Sequence, residues 1–222
     1  MNGQLLQLLI LAGVAVFLVL RLRSVIGTRQ GYEAEPDEMR GGPTTTQRDT
    51  RSFEVIEGGP DQDIADHADP DSDTGQALAA MKRVEPEFNV SDFIGGAKGA
   101  YEMILMAYEN GDLDTLEQFL APDVYAGFRA AVEARDEKGL TVEATFVGVS
   151  GTTLKAAKFD EMDNVADITL RFVGEMTSVV KDADGTIVEG NAGEVKRQSD
   201  MWTFSRVMGA DNPNWLLVAT GQ

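Results

Sequence analysis

Ala166-Asp167-Ile168-Thr169-Leu170-Arg171-Phe172 sets an apolar side chain at every second position and a polar one between. A period of two is the pattern of a strand with one buried and one wet face. Upstream of Gly139 the apolar period is instead 3.6. Ser91 or Asp92 is read as the N-cap of a helix running to about Asn110, with Phe93, Ala97, Ala100, Tyr101, Ile104 and Tyr108 on one face. Gly95, Gly96 and Gly99 fall inside it. Glycine costs helix stability, so they are read as permitting close approach of another backbone. Asn110-Gly111-Asp112 stops this helix and caps a short one carrying Leu113, Leu116 and Leu120. Pro122 and Asp123 open a third, with Val124, Phe128, Ala131 and Val132 inward, that ends near Lys138-Gly139.

The strand pattern continues on both sides of the opening stretch. Val142, Ala144 and Phe146 alternate in the same way, and Lys155 to Phe159 is read as a partner strand that returns beside them. Asp182-Ala183-Asp184-Gly185 is a turn between Met176–Lys181 and Thr186–Glu189. Trp202 and Phe204 alternate with Thr203 and Ser205, and Trp215, Leu217 and Ala219 mark the last strand. Three helices followed by antiparallel strands make an α+β domain, set at residues 81–222. Its sheet has one face to bury against those helices and should curl around them.

Before this domain the composition changes twice. Leu5 to Leu20 carries no charge and is apolar except for Gln7 and Gly13. At 1.5 Å per residue about 17 residues make roughly 25 Å, at the short end of a membrane-spanning helix. Leu22, Val25 and Ile26 can extend it while Arg21 and Arg23 reach the headgroups. A signal peptide puts its basic residues before the apolar run. Here Arg21, Arg23 and Arg29 follow it, so residues 1–26 are read as an uncleaved single-pass transmembrane anchor. By the positive-inside rule the N-terminus lies outside and the remainder in the cytoplasm. Residues 27–80 are read as a disordered acidic linker, because Glu33 to Ala80 holds 13 acidic residues against 3 basic ones and the stretch carries four of the seven prolines. About 50 flexible residues span about 40 Å r.m.s.. The Asp63, Asp66, Asp69, Asp71 and Asp73 series lacks the glycine and terminal glutamate of a calcium loop and reads as a solvated spacer. Phe53, Val55 and Ile56 form a small apolar island.

Across 222 residues, 19 Lys+Arg stand against 37 Asp+Glu, a net charge of −18. Phosphate binding needs clusters of basic side chains, so nucleic acid is excluded as a partner. The chain has no Cys, which removes disulfides, thiolate metal sites and thiol nucleophiles. Its single His, His67, falls in the Pro/Asp-rich stretch, so neither a Ser-His-Asp triad nor a multi-His metal site is available. Asp200 and Glu194 have acid–base chemistry but are read as facing solvent beside Lys196 and Arg197. No enzyme activity, metal or cofactor is expected.

Phe93-Ile94-Gly95-Gly96-Ala97-Lys98-Gly99-Ala100-Tyr101 leads to Ala107-Tyr108-Glu109-Asn110-Gly111-Asp112, then to Phe119-Leu120-Ala121-Pro122-Asp123-Val124-Tyr125. With Asp200-Met201-Trp202-Thr203-Phe204-Ser205-Arg206 and Trp215-Leu216-Leu217, this resembles the C-terminal domain of the Tim44-like family of mitochondrial inner-membrane import adaptors. The anchor and Leu22 to Glu33 resemble a bacterial membrane-anchored branch. The resemblance implies a cone of the nuclear-transport-factor-two-like type. It also implies an adaptor that links a translocase or other membrane partner to a soluble one, in mitochondria a DnaK-class chaperone. The mitochondrial protein carries a long N-terminal region where this chain has an anchor and a tether, so the domain's resemblance does not by itself carry chaperone binding over, and a translocase and a DnaK-class chaperone stand as expected partner classes.

The expected function is therefore a membrane-anchored adaptor at the bacterial inner (plasma) membrane. The expected contact surface is the concavity of the curled sheet, lined by Tyr101, Leu105, Tyr108, Phe128, Phe146, Phe172, Trp202 and Trp215. The alternative is a carrier or sensor that holds a lipid or other apolar small molecule in the same concavity.

Overall fold

The computed structural model describes residues 61–221. The anchor, most of the linker and the Phe53, Val55 and Ile56 island lie outside them. Among the described residues no helix is long and apolar enough to cross a membrane.

Among the described residues five helices precede five strands. They are α1 Gln62–Ala65, α2 Asp73–Val84, α3 Val90–Asn110, α4 Leu113–Phe119 and α5 Pro122–Asp136. The strands are β1 Thr141–Asp160, β2 Val165–Lys181, β3 Ile187–Gly190, β4 Lys196–Val207 and β5 Leu216–Gly221. They form one antiparallel sheet in the order β1-β2-β4-β5. β3 pairs with Val179 to Lys181, the end of β2 beyond its pairing with β4. The α+β architecture with a curved antiparallel sheet is the one the sequence implies.

Curvature comes from β1. Its pairing with β2 slips at three places, Phe146/Gly148, Val149/Gly151 and Leu154/Ala156. An extra residue in one strand bends it and increases its twist. Lys155 to Phe159 is therefore not a returning strand. Gly148 and Gly151 are absorbed by irregularities in one continuous 20-residue strand, and Ala157 stays opposite Ile168 on β2. The chain turns only after Asp160, where Asn164 takes φ 54°.

The inner face carries Ala166, Ile168, Leu170 and Phe172 of β2, all fully buried, with Trp202 and Phe204 of β4 and Leu217 of β5. α3 crosses this face. Asn89 caps it by accepting from the Asp92 amide at 2.9 Å, so the cap sits two residues before Ser91. Gly111 ends it in the left-handed region at φ 70°, as the Asn-Gly-Asp reading requires. α4 and α5 close the other end of the sheet. The Ala121 amide donates to the Leu217 carbonyl at 2.9 Å, and Leu120 bridges Leu217. Ala131 on α5 is exposed rather than inward.

Two further expectations are corrected. Residues 61–80 are not linker but part of the fold, with Ile64, Leu78 and Ala80 buried. The acidic residues there are used locally. The Asp63 carboxylate accepts from the Val90 amide at 2.7 Å and from the Ser91 amide and hydroxyl at 3.0 Å, at the N-terminus of α3. Lys82 on α2 ties Asp61 and Asp63 together, each at 2.8 Å. His67 is ordered with them, its Nε2 2.8 Å from Ser91 Oγ. A composition count sees repelling charges; a helix N-terminus and one lysine convert them to caps and ion pairs. The second correction concerns Gly95, Gly96 and Gly99. All three are exposed, and among the described residues nothing lies within 4 Å of where their Cβ atoms would stand.

Candidate docking site

Three groups of side chains hold the aromatic residues proposed for the concavity. At the centre, Tyr101 of α3 stacks on Phe172 with ring centroids 4.5 Å apart and planes at 15°. Trp202 packs at 4.7 Å and Phe146 edge-on at 6.2 Å. Tyr101, Phe172 and Trp202 are buried, while Phe146 is half-buried. Gly174 on β2 makes room for the phenol: a Cβ there would lie 2.6 Å from Tyr101 Oη. Aromatic side chains in contact at these separations fill the space beneath α3 with the protein's own atoms.

A polar network terminates this stack. The Tyr101 hydroxyl donates to Asp200 Oδ2 at 2.5 Å, and Gln198 Nε2 donates to the same oxygen at 3.0 Å. Burial pushes the Tyr101 phenol well above its ordinary range, and the Asp200 carboxylate beside it adds to the rise. The phenol is held protonated, as a donor. Asp200 is thus not a solvent-facing side chain. The alternation that turns Trp202 and Phe204 inward also turns Asp200 and Gln198 inward, so the strand period already carried the signal. Glu194 is exposed.

The second group surrounds Trp215, just ahead of β5. Phe93 packs at 4.6 Å and Phe88 at 6.0 Å, and the Arg206 guanidinium lies over the indole, 5.5 Å from its centroid. Arg206 is itself paired with Glu85 and donates to the Pro213 carbonyl at 3.2 Å. The Arg206 guanidinium donating to Glu85 outweighs burial and holds the Glu85 carboxyl below its ordinary range, helped by the Gly209 amide. The third group is Tyr108 of α3 edge-on to Phe128 of α5 at 5.2 Å. Arg135 lies 5.6 Å over the Tyr108 ring and donates to its carbonyl at 3.1 Å. Beside it Glu109 is pushed up by burial, with Arg135 partly offsetting the shift.

The eight residues therefore do not line one open concavity. Tyr101, Leu105, Phe172 and Trp202 are interior. Tyr108, Phe128, Phe146 and Trp215 are half-buried and retain accessible edges. Arg135 and Arg206, which the sequence reading did not single out, lay guanidinium planes over two of those rings. A planar cation stacked on an aromatic ring is common at protein interfaces, where Arg, Tyr and Trp are enriched.

The human mitochondrial import inner membrane translocase subunit TIM44 is 24% identical over 143 residues, 64% of this chain and 31% of that protein. TIM44-1 of Arabidopsis thaliana is 21% identical over 146 residues, 66% of this chain and 30% of that protein. The chain thus aligns with less than a third of the length of these relatives. A solved structure, the intermembrane space region of the chloroplast protein ARC6, covers 65% of this chain and 94% of that chain at 10% identity, with a TM-score of 0.36, too low to bear on the fold. The Tim44-like domain matches residues 74–222, which takes in α2 and every later element, and the chain belongs to that family.

Proposed function

We propose that this protein is a docking adaptor held at a bacterial inner membrane by residues 1–26. The observation that carries the proposal is the family match over residues 74–222, which leaves out only α1 and the first residues of the fold. Its relatives bear the name of inner-membrane import translocase subunits, which supports protein partners at a membrane. The Tyr101–Asp200 pair is a structural lock in this reading. It is a protonated phenol bound to a carboxylate inside a stack of rings, not an acid–base couple facing a substrate. Contact falls to the accessible edges of Tyr108, Phe128, Phe146 and Trp215.

A tether over residues 27–60 lets the domain search a shell of tens of ångströms around its anchor. Confinement raises the effective concentration of membrane-proximal partners without any new contact. Translocase subunits and a DnaK-class chaperone are the partner classes this places within reach. Pull-down from native membranes, comparing the full chain with one lacking residues 1–30, tests the reading. The full chain should recover a defined membrane complex that the shortened chain loses. Recovery of the same abundant bystanders by both chains contradicts it.

A further inference from the structure

We propose that Val55 and Ile56, just ahead of the first described residue, dock in an apolar groove on the outward face of the sheet and plug it. The groove holds about 390 Å³. Val165 of β2, Val207 of β4 and Leu216 and Val218 of β5 wall it, with Ala210 of the β4–β5 loop. The four strand residues alternate with buried inner-face positions, so they point outward. Val207 is 48% exposed, and no carboxylate lines the groove. Arg206 stands among its walls, and its Nε–H is buried without an acceptor among the described residues. Buried donors are nearly always paired. The groove thus lacks both an apolar side chain to fill it and an acceptor.

The occupant follows from the length of chain ahead of Asp61 and from where Asp61 is held. Its carboxylate lies 2.8 Å from Lys82 Nζ, on the last turn of α2. One helical turn on, about 5 Å, Glu85 accepts from the Gly209 amide at 3.1 Å and pairs with Arg206. Ala210 follows Gly209, so the groove begins one helical turn and two side-chain lengths from Asp61. The five residues from Ile56 to Asp61 span at most roughly 17 Å, which brings Ile56 to it. Gly58-Gly59 lets the chain bend on the way. Val55-Ile56 is the first apolar pair met upstream of Asp61. Its own carbonyls, or the Glu57 carboxylate that follows, supply the acceptor Arg206 lacks. Two other open grooves suit the pair less. Asp73, Arg83, Lys158 and Glu161 charge the one between α2 and β1, and Glu102 and Asp112 the one between α3 and α4. A partner that uses this corner of the outward face has to displace the plug.

The chain has no cysteine, so the contact can be trapped. In the full chain, purified in detergent micelles and mildly oxidised, Val55→Cys with Val207→Cys should form a disulfide within one molecule. Such a bond needs Cα atoms roughly 4.4–6.8 Å apart. Val55→Cys with Glu87→Cys is the control, because Glu87 is exposed two residues beyond Glu85 and lies outside the groove. The V207C pair should close at least about tenfold faster than the E87C pair. Val218→Cys, on β5, should behave as Val207→Cys does. Adding Ile56→Asp should remove the advantage, since a carboxylate in an apolar groove opposes docking. Equal rates for the V207C and E87C pairs overturn the proposal. A disulfide formed mainly between molecules also overturns it, since a second copy then fills the groove. Neither outcome bears on the adaptor reading, whose test is recovery of a different protein.

Discussion

Replacing Tyr101 by Phe keeps the ring stack and removes only the donor to Asp200. The carboxylate then retains Gln198 as its partner but loses its shortest hydrogen bond. Urea denaturation of Tyr101→Phe should show a loss of about 1–3 kcal/mol. An unchanged midpoint would mean that the pair contributes nothing to holding α3 on the sheet. Asp63 gives a second prediction. Burial opposes its ionisation, but Lys82, the Val90 and Ser91 amides and the Ser91 hydroxyl together outweigh that and lower its pKa to about 2. A carboxylate depressed on folding contributes stability that is present above the unfolded value near 4 and is lost as pH falls through about 2. Stability measured against pH should fall across that window in the native chain, and Asp63→Asn should fall less steeply there. At this scale the sequence was legible for the apolar residues and weaker for the polar ones. Tyr101, Phe172 and Trp202 follow from periodicity. The role of Asp63 depends on where the N-terminus of α3 comes to rest, which no local pattern states.

Helix α3 shows what periodicity reads and what it does not. Its buried face and its Gly111 stop follow from the spacing of apolar residues and from Asn110-Gly111-Asp112. Its glycines suggested a neighbouring backbone, yet they lie on the outward face and meet no described residue of the chain. Gly95→Ala should therefore stabilise the domain by up to about 1 kcal/mol in thermal or urea unfolding, since alanine is the better helix former and nothing is displaced. Destabilisation would show that this position is covered after all. In β1, the sequence marked two apolar segments and hid the fact that they are one strand. Gly148 and Gly151 look like turn residues, but long-range pairing with β2 holds the chain extended through them. β pairing partners are distant in sequence, so whether an irregularity breaks a strand or bends it is settled by the neighbour.

At the scale of the whole molecule, the α+β class and the order of helices before sheet were legible because apolar periods of 3.6 and 2 occupy separate halves of the domain. The start of the domain was not. α1 and α2 sit in a stretch whose charge count reads as disorder, and only their contacts with α3 and β1 explain why they fold. The candidate site was half legible: the sequence named the rings, and packing decided which remain accessible. The interior rings hold α3 on the curved sheet, and the rings beneath Arg135 and Arg206 keep accessible edges. Site-specific photo-crosslinking in native membranes tests this division most directly, with a benzophenone side chain placed at Phe128, at Trp215 and, as a control, at Thr153 on the exposed surface of β1. The account predicts a discrete adduct to an inner-membrane translocase subunit or a DnaK-class chaperone from Phe128 or Trp215, absent from Thr153. The same set of adducts from all three positions would contradict it.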